Sequence, residues 1–381
     1  MAKRLDLFVF ADALGWKLAH ERAFMDDLFP VRNACQTLFG YSSTCDPSIL
    51  TGTYPDEHGH FSFFVKARGA SPFRGLGALG WLPQRLAGYH RVRNRVSRLL
   101  GKHLGYTGYF QLYSVPFSRL PYLEYTEMRD IYEPGGIIGG QRTIFEHWEE
   151  SGKPWQRSDW RAGDAANFAR AGEVIDRGEA ELVYLFTANL DAVMHRHGPQ
   201  GPAVDEAFDA FEKDLRALHA RALKQYAEVR VHLFSDHGMT RVHQGSDLLL
   251  RWRKLGYKYG RDYVAVWDST MARFWFNSES VRQAASDWLA QQPEGGIVSD
   301  EQLAQWRCLF PDRRYGELFY LLPAGTIFVP SFLNQSLVAG MHGYDPAHPD
   351  SAACWLATHE TSPVNDLPDI FRVMFDAAQT R

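Results

Sequence analysis

Cysteine is scarce in this chain and never closely paired. Cys35, Cys45, Cys308 and Cys354 form no CxxC spacing, which argues against a zinc ribbon or a dithiol redox motif. Isolated thiols suit a reducing compartment, so a cytoplasmic location is expected. Long apolar runs are missing as well, and nothing approaches the roughly 18 residues of a membrane-spanning helix. The opening MAKRLDLFVFADALGW is broken by Asp6 and Asp12, and no small-residue cleavage site follows it. No secretory signal is expected there. A large net charge is absent too: the balance is −4 over 381 residues, which gives no reason to expect a nucleic-acid partner. Internal repeats and low-complexity tracts are also lacking.

One absence is local. Residues 61–123 contain no Asp or Glu, yet hold ten Lys or Arg: Lys66, Arg68, Arg74, Arg85, Arg91, Arg93, Arg95, Arg98, Lys102 and Arg119. Gly and aromatic residues are frequent in the same stretch, and RLAGYHRVRNRVSRLLGKH has helical spacing. The segment reads as an insertion or cap, with bounds near 61–140, inside a single catalytic domain spanning 1–381. Its charge would attract an anionic phosphorylated small molecule or a lipid head group, with peripheral membrane contact through 61–123 as a further reading. A solvated face balanced by acids elsewhere in the fold is the plain alternative.

What is present points to an α/β fold. Short apolar runs end at polar residues in LFVFAD (7–12), LVYLFTANLD (182–191) and VRVHLFSDHG (229–238). Runs of this length and composition suit parallel strands buried on both faces. Between the last two, Val204, Phe208, Phe211, Leu215 and Leu218 step along one face of an amphipathic helix. Strand, helix and strand make a crossover unit, so a central, mostly parallel sheet flanked by helices is expected. Ligands of such sheets bind beyond the carboxyl ends of the strands. Asp12, Asp191 and Asp236 each close an apolar run and would gather on that edge.

Imidazoles accompany them. DAVMHRHGP offers Asp191 and His195, SDHGM offers Asp236 and His237, and GMHGYDP places His342 beside Gly343, where backbone can approach a ligand closely. Carboxylate with imidazole suits zinc, or manganese where more oxygen ligands join. As a set these residues form the ligand list of a two-metal hydrolase, in which paired ions clamp the attacking and leaving oxygens of a phosphoryl displacement.

The pieces FADALGW, LTGTYPDEHG, DAVMHRHGP, FSDHGM and MHGYDP, in that order over residues 8–346, resemble the alkaline phosphatase superfamily. The resemblance is nearest to its type I phosphodiesterase/nucleotide pyrophosphatase branch. It implies an alkaline phosphatase-like fold and two divalent ions, zinc or alternatively manganese. One would be held by Asp12, Asp236, His237 and the nucleophile, the other by Asp191, His195 and His342. His197 would stand behind these ligands, and His58 and His60 would shape the loop after the nucleophile helix.

The nucleophile is sought in GYSSTCDPSILTG, where Ser42, Ser43, Thr44 and Cys45 precede a short helix. A hydroxyl there can be activated by a metal, and helix N–H groups can hold phosphate oxygens. In the family the nucleophile lies ten residues before the glycine that ends this helix, which implies Ser42, then Ser43, then Thr44. Cys45 with Asp46, Pro47 and Ser48 imitates the CxPxR signature of sulfatases, but Ile49 replaces its Arg. Cys45 therefore ranks last, as a small buried thiol. Pro47 is expected within the first helical turn. The implied activity is hydrolysis of a phosphodiester or pyrophosphate through a seryl-phosphate. A phosphomonoesterase, a sulfatase-like hydrolase and a non-catalytic phospho-ligand binder are the alternatives. Phe61, Phe63, Phe64 and Trp81 are candidate walls of an aromatic pocket.

Overall fold

The computed structural model describes residues 4–82 and 90–380; Arg85 of the basic segment lies outside them. Six strands form the main sheet: β1 (Arg4–Ala11), β2 (Val31–Cys35), β3 (Trp155–Arg157), β4 (Leu182–Thr187), β5 (Glu228–Phe234) and β6 (Ala353–Ala357). Their order across the sheet is β2-β6-β5-β1-β4-β3. β1 runs parallel to both β4 and β5, and β3 parallel to β4, whereas β6 is antiparallel to β5 and β2. The expected mostly parallel sheet is present.

β1 is apolar at nearly every position because both of its faces are covered. Leu5, Leu7 and Val9 pack with the helix Asp164–Asp176 and the long helix over residues 202–225. Phe8 and Phe10 pack on the other side with Ile49, Leu50, Trp148 and Ile370.

Four helices matter for the site: α1 (Ser42–Thr51), α2 (Asn189–His197), α3 (Pro202–Gln225) and α4 (Leu367–Gln379). In α3 the expected stripe of Val204, Phe208, Phe211, Leu215 and Leu218 is the buried face. The connection from β4 to β5 passes over β1, which lies between them. Pro47 is the sixth residue of α1 rather than a first-turn residue. It removes one helical hydrogen bond from the second turn.

A second sheet of four antiparallel strands stands beside the first: Tyr263–Trp267, Met271–Phe276, Leu318–Leu321 and Gly296–Val298, in that spatial order. The basic segment folds onto this sheet. Phe64, Phe73, Leu112 and Leu120 share one core with Trp252, Val266 and Phe274. Arg273, fully buried, ties the two together: it donates to the Asp268 carboxylate at 2.9 Å, the Ser62 hydroxyl at 2.7 Å and the carbonyls of Phe64 and Tyr315 at 3.0 Å each. Nearer the site, Ile327 packs against Met341 and Tyr344, on either side of His342. Among the described residues, no helix is long and apolar enough to cross a membrane.

Candidate active site

The carboxyl ends of β1, β4 and β5 open toward the same edge of the main sheet. Asp12 follows β1 directly. Asp236 and His237 follow β5 after Ser235, and the Asp236 Oδ1 accepts from the Ala13 N–H at 3.3 Å, tying the two strand ends together. Asp191 does not end a strand. It lies in the first turn of α2, where the one-turn spacing to His195 sets both side chains on one helix face. His342 arrives from the far end of the chain on a loop whose approach depends on Gly343. That residue has φ +83°, and a Cβ there would meet the Tyr41 ring at 2.6 Å and the Gly40 carbonyl oxygen at 2.9 Å.

Two clusters result. In one, donor atoms of Asp12, Asp236 and His237 lie within 4.8 Å of one another; in the other, those of Asp191, His195 and His342 do. All six residues expected as ligands are thus brought together, in the two groups expected of them. The clusters share a wall, because the His237 and His342 rings stack with centroids 3.7 Å apart.

Their electrostatics call for cations. The His237 Nδ1 lies 3.0 Å from the Gly238 carbonyl oxygen, and the His195 Nδ1 lies 2.8 Å from that of Gly340. A carbonyl only accepts, so each Nδ1 carries a proton and each Nε2 turns toward oxygen. The His237 Nε2 faces Asp236 Oδ2 at 3.0 Å, and the His195 Nε2 faces Asp191 Oδ1 at 3.2 Å. Asp12 Oδ1, Asp191 Oδ1, Asp236 Oδ2 and His342 Nδ1 are buried and make no hydrogen bond. An unpaired buried polar atom costs about 1–3 kcal/mol, more when charged. Burial, followed by Asp236 and Asp191, pushes the Asp12 carboxyl well above its ordinary range. Burial and the neighbouring imidazoles push His342 well below its own. For Asp236 the effect of burial is outweighed by the His237 charge and the Ala13 N–H, which hold it low. Orphaned oxygens facing imidazole nitrogens are a donor set fit for divalent ions.

The four candidate nucleophiles diverge. Ser42, first residue of α1, has its Oγ 3.2 Å from the His237 Nε2. Ser43 and Thr44 both donate to the Phe61 carbonyl, at 3.1 and 2.6 Å. Cys45 is buried with its sulfur 3.7 Å from the Thr37 hydroxyl, and burial pushes its thiol up.

The chain belongs to the type I phosphodiesterase/nucleotide pyrophosphatase family. The model of that family matches residues 40–345, from the glycine before α1 to just beyond His342. No curated protein sequence matches the chain. Among solved structures, murine ectonucleotide pyrophosphatase/phosphodiesterase 5 superposes with a TM-score of 0.68 at 14% identity, covering 100% of this chain and 96% of that one. An inactive threonine-to-alanine variant of the same murine protein, in complex with AMP, gives 0.67 at 15% with the same coverage. Phosphonoacetate hydrolase from Sinorhizobium meliloti 1021, in complex with phosphonoformate, gives 0.65 at 12% identity, covering 99% and 96%. At these identities the likeness is one of fold.

Other expected residues fall elsewhere. His197 is exposed at the end of α2 and does not back the ligands. His58 and His60 are buried in the loop after α1: the His58 Nε2 pairs with the Ser48 hydroxyl at 2.8 Å, and the His60 Nε2 accepts from the Ile138 N–H at 2.9 Å. Phe61 and Phe64 are core residues, and Trp81 is 77% exposed; Phe63, half-buried, lies in an aromatic group that Phe64 also joins, edge-on to Tyr125. Phe63 stacks on Tyr113 and Tyr125 and lies tilted against Tyr109. Asp46 was missed by the sequence reading. One helical turn after Ser42, its Oδ1 is buried without a hydrogen bond, and burial followed by Asp236 pushes its carboxyl well up. The four-residue spacing from Ser42 was the available signal.

Proposed function

We propose that this protein is a metal-dependent phosphodiesterase or pyrophosphatase in which Ser42 attacks phosphorus. The observation that carries the reading is the setting of the Ser42 hydroxyl. It stands at the start of a ten-residue helix and beside the His237 cluster, while Ser43 and Thr44 spend their hydroxyls on a backbone carbonyl.

Asp12, Asp236 and His237, with Ser42, would hold one divalent ion, and Asp191, His195 and His342 the other; the donor set favours zinc, with manganese as the alternative. Bound there, such ions supply Lewis acidity that lowers the pKa of a hydroxyl and neutralises charge on the transferring oxygens. The chain's own residues do the rest. Ser42 Oγ loses its proton and forms a bond to phosphorus in line with the departing oxygen. N–H groups of the first turn of α1 hold non-bridging oxygens. The departing oxygen takes up the proton and leaves, and the Ser42 ester keeps the second substituent on phosphorus. Water then cleaves the Ser42 Oγ–phosphorus bond, releasing the monoester and restoring the hydroxyl.

A diester or pyrophosphate is favoured over a monoester by two features. Tyr109 is 38% exposed within the Phe63 group, and burial, Glu127 and then Asp191 hold its hydroxyl up. A partly exposed aromatic surface of this kind suits an apolar or aromatic leaving group. Four cations of the basic segment, Lys66, Arg68, Arg93 and Arg119, are already engaged within the fold by Asn277, Asp312, the Phe117 ring and the Tyr259 ring, which leaves them less suited to hold a third phosphate oxygen. The buried position of Cys45 favours a phosphoesterase over a sulfatase-like enzyme. All four cysteines are free and buried, in keeping with a cytoplasmic location.

The test uses protein purified without chelator and assayed on bis(4-nitrophenyl) phosphate, 4-nitrophenyl phosphate and 4-nitrophenyl sulfate. The diester should be the best substrate, and chelation should abolish turnover until zinc or manganese is restored. Ser42→Ala should lower kcat by roughly 10³-fold or more with metal content nearly intact, because Asp12, Asp236 and His237 remain. A fully active Ser42→Ala protein would overturn the assignment.

A further inference from the structure

A third cluster of donors lies at the other end of the main sheet. Asp6 is on β1, His232 on β5 and His359 two residues beyond β6. The pairing register aligns them: Phe8 stands opposite His232, and His232 opposite Ala357. Side chains two apart on a strand share a face, so Asp6, His232 and His359 fall on one diagonal across three strands. A carboxylate oxygen of Asp6 and one ring nitrogen from each histidine all lie within 4.8 Å of one another. Asp6 is six residues before Asp12, which puts the cluster about 20 Å from the candidate active site at the usual strand rise.

From this geometry we infer a separate divalent-cation site, formed by Asp6, His232 and His359, that clamps β1, β5 and the exit of β6. Asp6 and His232 are 2% and 1% exposed. Asp6 Oδ1 lies 3.2 Å from His232 Nε2, while Asp6 Oδ2 accepts from Arg4 Nε at 2.9 Å. Arg4 thereby fixes the carboxylate so that its other oxygen faces the imidazoles, the part that outer hydrogen bonds play around metal ligands. An Asp–His hydrogen bond alone leaves the structure poorly satisfied. The Nδ1 atoms of both His232 and His359 are buried with no hydrogen bond, although the two rings meet edge to face at 4.9 Å.

Burial disfavours the charged form of both imidazoles, and metal ligands must be neutral. Burial pushes His232 down, and burial together with His232 pushes His359 to about 4. The other nearby charges are already matched, since Arg230 pairs with Glu228 at 2.6 Å. Phe8 stacks on His232 at 4.3 Å and Trp355 lies 5.7 Å away, so the donors sit against an apolar wall. Two nitrogens and one oxygen suit zinc first, then cobalt or nickel. Tetrahedral bonds of 2.0–2.1 Å need donors about 3.4 Å apart. His359, only partly buried beyond the strand end, can close that difference and leave a fourth position for water. The role is structural: binding would add stability by tying three strands, without contact to substrate.

The test counts zinc by elemental mass spectrometry in wild type and His359→Ala, both purified without chelator and dialysed against zinc at the same free concentration. The variant should hold one equivalent fewer and melt at lower temperature in zinc, with diesterase activity unchanged. Equal zinc content in the two proteins overturns the site. An Asp12→Asn/Asp191→Asn protein, weakened at the other two clusters, separates the readings: it should still gain thermal stability from added zinc, and adding His359→Ala should remove that gain. If zinc stabilises both of these proteins equally, or neither, the inference fails. Loss of one equivalent in His359→Ala would support it even if the Ser42 reading proves wrong.

Discussion

Ser42 and Ser43 are adjacent, chemically identical and differently employed. Counting back from Gly52 singles out the first of them, but a count cannot say where a hydroxyl points. That depends on the Phe61 carbonyl, which comes from the loop beyond α1 and draws Ser43 and Thr44 toward it. The same limit hid Asp46 and Glu127, whose character comes from burial rather than from neighbours in sequence. Burial, then Asp130, holds the Glu127 carboxyl up to about 8, against an ordinary value near 4.3. The folded protein therefore keeps a proton that the unfolded chain releases above about pH 4.3. Stability from this group is full below that pH and is lost as pH rises toward 8. Glu127→Gln removes the ionisation, so the variant should be more stable than wild type at pH 8, on the order of a few kcal/mol. The advantage should vanish near pH 4, as urea melts at the two pH values would show.

At the scale of elements, strands were easier to read than helices. β1, β4 and β5 are continuous apolar runs because both faces are covered, and α3 displays its stripe openly. α2 was concealed. LVYLFTANLD reads as one run, yet the strand ends at Thr187 and a helix begins at Asn189. The pair Asp191 and His195, one turn apart, was the only sign of it. α1 is set by its end as much as by its sequence. Gly52 closes it with φ +68°, and a Cβ there would meet the Phe371 ring of α4 at 2.8 Å. Gly52→Ala combines a left-handed backbone with that clash. It should destabilise the protein by about 1–3 kcal/mol and displace Ser42 at the far end of α1. A fall in both melting temperature and kcat would report the two effects together. An unchanged kcat would mean that α4 gives way instead.

Across the whole molecule, composition foretold a basic segment but not its attachment. Residues 61–123 read as an insertion or cap because their charge is so uneven, and their apolar side chains join the core of a sheet built from residues 263–321. Pairing between segments two hundred residues apart leaves no local pattern to read. Arg273 is the clearest link across that distance, reaching Ser62 and Phe64 from the second sheet. Arg273→Met should cost about 3–5 kcal/mol, the scale of leaving a buried partner charge uncompensated, here Asp268. Adding Asp268→Asn should recover part of the loss. Thermal melts of the two variants measure both steps.

The strand order has a bearing on biosynthesis. β6, made from residues 353–357, occupies an interior place between β2 and β5, and among the described residues β2 has no other strand partner. While the ribosome is still adding residues, the emerging polypeptide holds β1, β4 and β5 but has a gap where β6 belongs, with β2 unattached. The flank formed by Phe10 and Phe234 also awaits α4. Folding of the sheet is thus delayed until residues 353–379 have been made, and chains stalled or clipped before them would present an open, sticky edge to chaperones.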